Sequence, residues 1–273
     1  MAGYIELQIT VTDKALREIL IAQLAAIGIA GFEEEKNLLK AFAEADGYDE
    51  SLSKEIIEQN GLKYSISTIE DKNWNAEWES GFSPVVIGHF CAIRASFHEA
   101  ISGVKHDIII TPKMSFGTGH HASTHLMVEA IASLDLKDKQ VFDFGTGTGV
   151  LAILAEQCGA KSIRAIDNDP WSIINAEENF NSNNCHKILL NNGNGVPENE
   201  FYDVIFANIN RNIILQHMVH LKQHLAANGV LLLSGLLTGD ESIITEEALK
   251  YQLQLAQRTE MNGWICLRMV NAQ

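Results

Sequence analysis

Cysteine is scarce in this chain: four residues of 273, at Cys91, Cys158, Cys185 and Cys266, with no two spaced as C-x-x-C. That excludes a disulfide framework or a paired-thiolate zinc site and suits reduced thiols in a cytoplasm. The zinc pattern H-E-x-x-H is also missing, and the run holding His120, His121 and His125 contains no carboxylate, so no metal is expected. No stretch approaches the ~18 consecutive apolar residues of a membrane span. The opening MAGYIELQITVTDK lacks the basic start of a targeting segment. A soluble cytoplasmic protein with no membrane partner is the expectation. Positive charge is the minority sign: 20 Lys and Arg stand against 35 Asp and Glu, a net charge of −15. Such a surface repels phosphate backbones, which argues against direct contact with nucleic acid and favours a basic protein as partner. What is plentiful is apolar residue, at 46%, enough for one large domain or two.

Residues 1–70 read as one small unit. Tyr4–Val11 alternate apolar and polar, the period of a half-buried strand. Asp13 caps an amphipathic helix carrying Leu16, Leu20 and Leu24 and stopped by Gly28. Two strands, Ile29–Glu35 and Leu38–Ala45, turn at Lys36-Asn37; a helix over Ser51–Gln59 and a strand over Lys63–Ile69 follow. The order βαββαβ predicts a ferredoxin-like α+β domain with both helices on one face of an antiparallel sheet. Residues 71–111 read as a linker region that also packs on the second domain. It contains a short helix bearing Trp74 and Trp78, a strand over Val85–Ile93 and another over Ile108–Thr111.

From 112 to 273 the pattern becomes alternating helix and buried strand, which calls for a mostly parallel α/β sheet with right-handed crossovers. It ends in a hairpin, Gln252–Thr259 and Trp264–Val270 around Met261-Asn262-Gly263. Dinucleotide-binding Rossmann domains do not usually close on an antiparallel hairpin, whereas Rossmann-like class I methyltransferase domains do.

The central motif is Asp143-Phe-Gly145-Thr-Gly147-Thr-Gly149 at the end of the first strand of that domain. Its glycines allow a tight turn and close approach to a ligand, and the next helix offers unpaired N–H groups. Position 150 is Val, so the dinucleotide fingerprint G-x-G-x-x-G is absent. Asp167 ends the second strand, 22 residues after Gly145, where a carboxylate can accept both ribose hydroxyls of an adenosine. Asp169, followed by Pro170, reads as the cap of the next helix. Asn208 ends the fourth strand and can accept a hydrogen bond from an amine, aiming its lone pair at a methyl group. Its run, Asn208-Ile-Asn-Arg, has none of the prolines or tyrosine of N-P-P-Y. Before the first strand lies Ser115-Phe116-Gly117-Thr118-Gly119-His120-His121-Ala-Ser123-Thr124-His125, flexible enough to fold over the glycine turn; Ser123 or Thr124 can cap the helix that follows.

The runs FGTGHHAST, DFGTGTGVLAI, AIDNDPWSIINAEEN, DVIFANI and LLLSGLL, with EDKNWNAEWESGFSPVVIG before them, closely resemble the ribosomal protein L11 methyltransferase (PrmA) family. In that resemblance G-x-G-x-G after Asp143 is methyltransferase motif I, with Asp143 and Gly147 at the glycine loop. It implies that Thr124, Gly145, Asp167 and Asn208 contact S-adenosyl-L-methionine, with Asn208 also the catalytic position, and that Phe116, Gly117, Thr118 and His120 form a loop over the cofactor. It further implies an N-terminal domain that grips ribosomal protein L11 and a catalytic domain that trimethylates lysine side chains and the N-terminal α-amine. The run Ile209-Asn210-Arg211-Asn212 departs from the family's small or aromatic residues and puts a cation beside the acceptor pocket. Two other readings share the motifs: methylation of a small molecule or RNA, and a non-catalytic module that binds S-adenosylmethionine.

Overall fold

The computed structural model describes residues 4–29, 31–45, 48–69, 82–113 and 115–272; the segment around Trp74 and Trp78, read above as a short helix, lies outside them. The chain divides into two compact units, residues 1–81 and 82–273. Among the described residues no helix is long and apolar enough to cross a membrane.

The first unit runs β1 (Tyr4–Thr10), α1 (Lys14–Ala26), β2 (Gly31–Glu35), β3 (Leu38–Glu44), α2 (Glu50–Gln59) and β4 (Lys63–Ile69). Its strands lie in the order β2-β3-β1-β4, all antiparallel, the ferredoxin-like arrangement. Asp13 starts α1 by accepting the N–H groups of Ala15 and Leu16 at 2.8 and 3.1 Å. Asp49 does the same for α2 with Ser51 and Leu52, beginning that helix one residue earlier than its apolar period suggests. Period-two alternation puts Leu7 and Ile9 of β1 beside Leu39 and Ala41 of β3 on one face, where they bury Leu20, Leu24 and Ile57 from the two helices. Each of these leucines and isoleucines contributes about 1.5–3 kcal/mol relative to leaving it in water. Buried Arg17 fastens the β2–β3 turn to α1, donating to the carbonyls of Val11 and Lys36.

The second unit opens with a three-stranded sheet, β5 (Val85–Ile87), β6 (Cys91–Ala95) and β7 (His106–Ile110). The stretch Val85–Ile93, expected as one strand, is a hairpin instead: Gly88 turns the chain at φ +55° and β5 returns antiparallel on β6. Ile87, Cys91, Ile93, Ile108 and Ile110 from this sheet are buried in the same core as the helices and strands that follow. Those are α3 (Ala122–Ala132), β8 (Gln140–Phe144), α4 (Val150–Gln157), β9 (Ser162–Asp167), α5 (Pro170–Ser182), β10 (Ile188–Asn192), β11 (Tyr202–Asn208), α6 (Arg211–Gln223), β12 (Leu225–Leu237), α7 (Glu241–Lys250), β13 (Leu253–Met261) and β14 (Trp264–Asn271).

The large sheet has seven strands in the order β10-β9-β8-β11-β12-β14-β13, parallel except for β14, which is antiparallel to both its neighbours. Alternate residues of β8 face opposite cores: Val141 packs with α3, α4 and the small sheet, and Phe142 and Phe144 pack with α6 and α7. Strand order reverses between β8 and β11, so their carboxyl ends part and leave a crevice there. A ladder of asparagines along α5 and at its C-cap fixes the small sheet in place. Asn183 exchanges two hydrogen bonds with the backbone of Ile109, at 2.9 and 2.6 Å, while Asn179 accepts from the Thr111 N–H and Asn175 donates to its carbonyl. Spaced four apart, these amides satisfy the open edge of β7 as a neighbouring strand would.

Candidate active site

A cleft of about 1140 Å³ opens at the carboxyl ends of β8, β9 and β11, and Gly145, Gly147, Asp167 and Asn208 all line it. Gly147 has φ +54°, and a Cβ there would collide with the carbonyl oxygen of Phe116; Gly145 has φ +76°, and a Cβ there would collide with Ile209. Only glycine fits either position, and the loop read as a cover is fastened onto this turn. Thr148 donates its N–H to Phe116 O at 2.9 Å and its hydroxyl to Gly117 O at 2.8 Å.

Asp167 stands at the end of β9 with both oxygens engaged once: Oδ2 accepts from Gly147 N–H at 2.9 Å, and Oδ1 from Asp169 N–H at 3.0 Å. A carboxylate has about four lone-pair sites, so each oxygen keeps room for one hydroxyl of a vicinal diol. Asp169 caps α5 through Trp171 and Ser172, with Pro170 in the first turn.

Asp143 lies behind the turn and does not line the cleft; it is 1% exposed. Its Oδ2 accepts the Thr146 hydroxyl at 2.6 Å, which braces the turn from inside. Burial pushes its carboxyl up to about 7, with the charge of Asp167 adding to the rise, while the Thr146 hydroxyl and the Ala152 N–H oppose it.

Asn208 is 9% exposed. Its Nδ2 donates to the hydroxyl of fully buried Thr124 at 3.3 Å, while its Oδ1 is buried with no hydrogen-bond partner. An acceptor so placed costs about 1–3 kcal/mol unless something donates to it. Arg211, whose charge the sequence sets beside this point, is paired with Asp240 at 2.8 Å and does not line the cleft.

The remaining loop residues divide. Phe116 lines the cleft; Gly117, Thr118 and His120 do not, and His120 packs edge-on against Phe82. It is His121 that faces the cleft, and its ring, rather than Ser123 or Thr124, caps α3 by accepting the Ser123 N–H. His125 pairs with Glu129 one turn along. Trp264, at the start of β14, also lines the cleft, though its sequence context shows only the turn residues Asn262-Gly263 ahead of it.

A seven-stranded sheet of this order, a glycine turn after its first strand, an acid after the second and an amide after the fourth define a class I methyltransferase, whose methyl donor is S-adenosylmethionine. The residues fit that donor: a glycine cradle, a carboxylate with free lone pairs, and a buried orphan acceptor on Asn208. The profile of the ribosomal protein L11 methyltransferase (PrmA) family matches residues 5–272, and the chain belongs to that family. It is 39% identical over 259 residues to the ribosomal protein L11 methyltransferase of Porphyromonas gingivalis, covering 92% of this chain and 89% of that one. It is 34% identical over 277 residues to the enzyme of that name from Phocaeicola vulgatus, covering 98% and 99%. Among solved structures, the ribosomal protein L11 methylase of Lactobacillus delbrueckii subsp. bulgaricus superposes with a TM-score of 0.66 at 27% identity, over 70% of this chain and all of that one.

Proposed function

We propose that this enzyme methylates amines of ribosomal protein L11, lysine side chains and the N-terminal α-amine, in the cytoplasm and without contacting nucleic acid or membrane. The observation that carries the reading is the orphan Oδ1 of Asn208. Asn208 itself lines the cleft, and Thr124 holds the other arm of its amide. S-adenosylmethionine, when bound, supplies a methyl carbon already activated by its sulfonium leaving group. What the chain must add is alignment. Asn208 Oδ1 accepts one N–H of the amine and so turns its lone pair along a fixed line; a displacement of about 1 Å costs on the order of a hundredfold in rate. A neutral amide suits a nucleophile that must be uncharged when it attacks, since a carboxylate would favour the ammonium form.

In this reading Asp167 holds the ribose, Gly145 and Gly147 admit the cofactor backbone closely, and Asp143 with Thr146 braces the turn. The ferredoxin-like unit holds the protein substrate. A net charge of −15 draws in a basic ribosomal protein and repels phosphate. The test is incubation of the full chain with tritiated cofactor and a panel of ribosomal proteins, free RNA and small amines, with mass spectrometry of whatever is labelled. Label on RNA or on a small amine, with none on L11, overturns the assignment.

A further inference from the structure

Three rings stand in the same cleft as Asn208. His121 meets Trp264 edge-on at 4.4 Å between centroids, and Phe116 edge-on at 5.0 Å, and all three line the cleft. The imidazole is held in place by Ser123, whose hydroxyl lies 2.8 Å from Nδ1 and whose N–H donates to it. Burial keeps its pKa below the ordinary 6.5, so the ring is neutral at neutral pH. The cleft's carboxylates, Asp167 and Glu198, lie on the β9 side and on the β10–β11 connection.

A primary amine has N–H groups to give to Asn208. Each methyl transfer forms an N–C bond as the sulfonium C–S bond breaks, and sulfur keeps that electron pair. The resulting ammonium must release a proton to solvent before it can react again, and each round leaves one N–H fewer. A fully methylated ammonium has none, so no hydrogen bond can hold it, and apolar and cation–π contacts add to whatever charge attraction remains. We propose that Phe116, His121 and Trp264 form a neutral aromatic wall that binds the acceptor as a methylated ammonium and retains partly methylated amines for the next transfer. This rests on the reading of the cleft as an amine methylation site.

The test uses the full chain and lysine peptides bearing zero to three methyl groups, together with the uncharged tert-butyl isostere of trimethyllysine, in calorimetric binding. The wild-type protein should bind the trimethylated peptide more tightly than the isostere. Trp264→Ala should weaken the trimethylated peptide roughly fivefold to thirtyfold, and so abolish that preference, while Trp264→Phe keeps most of it. Mass spectrometry of products should show Trp264→Ala accumulating mono- and dimethylated forms. Phe116→Ala, at a half-exposed loop position, gives the same direction should Trp264→Ala not fold. Equal wild-type affinity for the charged peptide and its isostere, or folded alanine variants that keep the preference, would overturn the wall. A wild-type enzyme that methylates no protein amine would sink the proposed function instead, and the isostere comparison would still decide the wall.

Discussion

Asp143 should make this protein lose stability as pH rises from about 4 to about 7. Its carboxyl is enclosed on the α4 side of β8, and burial chiefly pushes it from the ordinary 3.8 up to about 7. In the unfolded chain it ionises near ~3.9. Between those two values the folded state holds a proton that the unfolded state has released, so the slope of unfolding free energy against pH is negative. The stabilisation relative to the ionised form is fully present below the unfolded value, is lost through the window, and does not change further once pH exceeds about 7. At ~1.4 kcal/mol per pH unit over about three units, the loss is roughly 4 kcal/mol. Asp143→Asn keeps an amide oxygen for Thr146 and cannot ionise, so it escapes the loss. Urea melts of both proteins by circular dichroism should therefore show the gap between them moving toward the variant by roughly 3 kcal/mol between about pH 5 and about pH 8, then levelling. A gap that is constant across that range would mean that Asp143 is charged in the folded protein and that the reasoning from its burial is wrong.

Asp167→Ala should weaken S-adenosylmethionine by about 1.5–3 kcal/mol for each charge-assisted ribose hydrogen bond removed; calorimetric titration of the folded variant reads this directly, and unchanged affinity removes the residue from the site. Asn208→Ala should lower kcat on the order of a hundredfold at saturating cofactor, and Asn208→Asp should move the pH optimum upward, because a carboxylate raises the pKa of the bound ammonium and delays its deprotonation; pH–rate profiles of all three proteins check both. Deleting residues 1–81 should leave cofactor affinity largely intact while abolishing methylation of intact ribosomal protein, since the whole cleft belongs to the second unit; full activity on the intact substrate would refute a recruiting role.

The elements most legible in the sequence are those whose causes are local. Asp13 and Asp169 announce helix starts because an Asx cap acts within three residues, and β4 and β8 have the bounds that their apolar pattern predicts. Asp49 acts by the same chemistry, but its helix starts at Glu50, a charged residue ahead of the first apolar one, and the cap His121 hides among its neighbouring histidines. The asparagines along α5 and at its C-cap read as ordinary polar residues of an amphipathic helix. Their purpose exists only once β7, more than sixty residues earlier, presents an open edge to them.

The site divides along the same line. Asp167, Gly145, Gly147 and Asn208 sit at strand ends, and the βα rhythm alone aims strand ends at one crevice, so the sequence brings them together before any packing is known. Trp264 depends on something else. The pairing of β12 with β14 slips by one residue between Leu233 and Leu236, at Ser234-Gly235, where Gly235 takes φ +76° and a Cβ would strike the backbone of Ile209. A bulge of this kind bends its strand and changes which side chains face each other beyond it. Here it sets Leu237, rather than Leu236, opposite Trp264, which lines the cleft. In the sequence the same device is a single glycine inside a run of leucines, which marks a bulge without saying which partner strand it will shift. On the proposed reading, the cofactor end of the cleft is therefore written in motifs and the acceptor end in register, which only the paired sheet discloses.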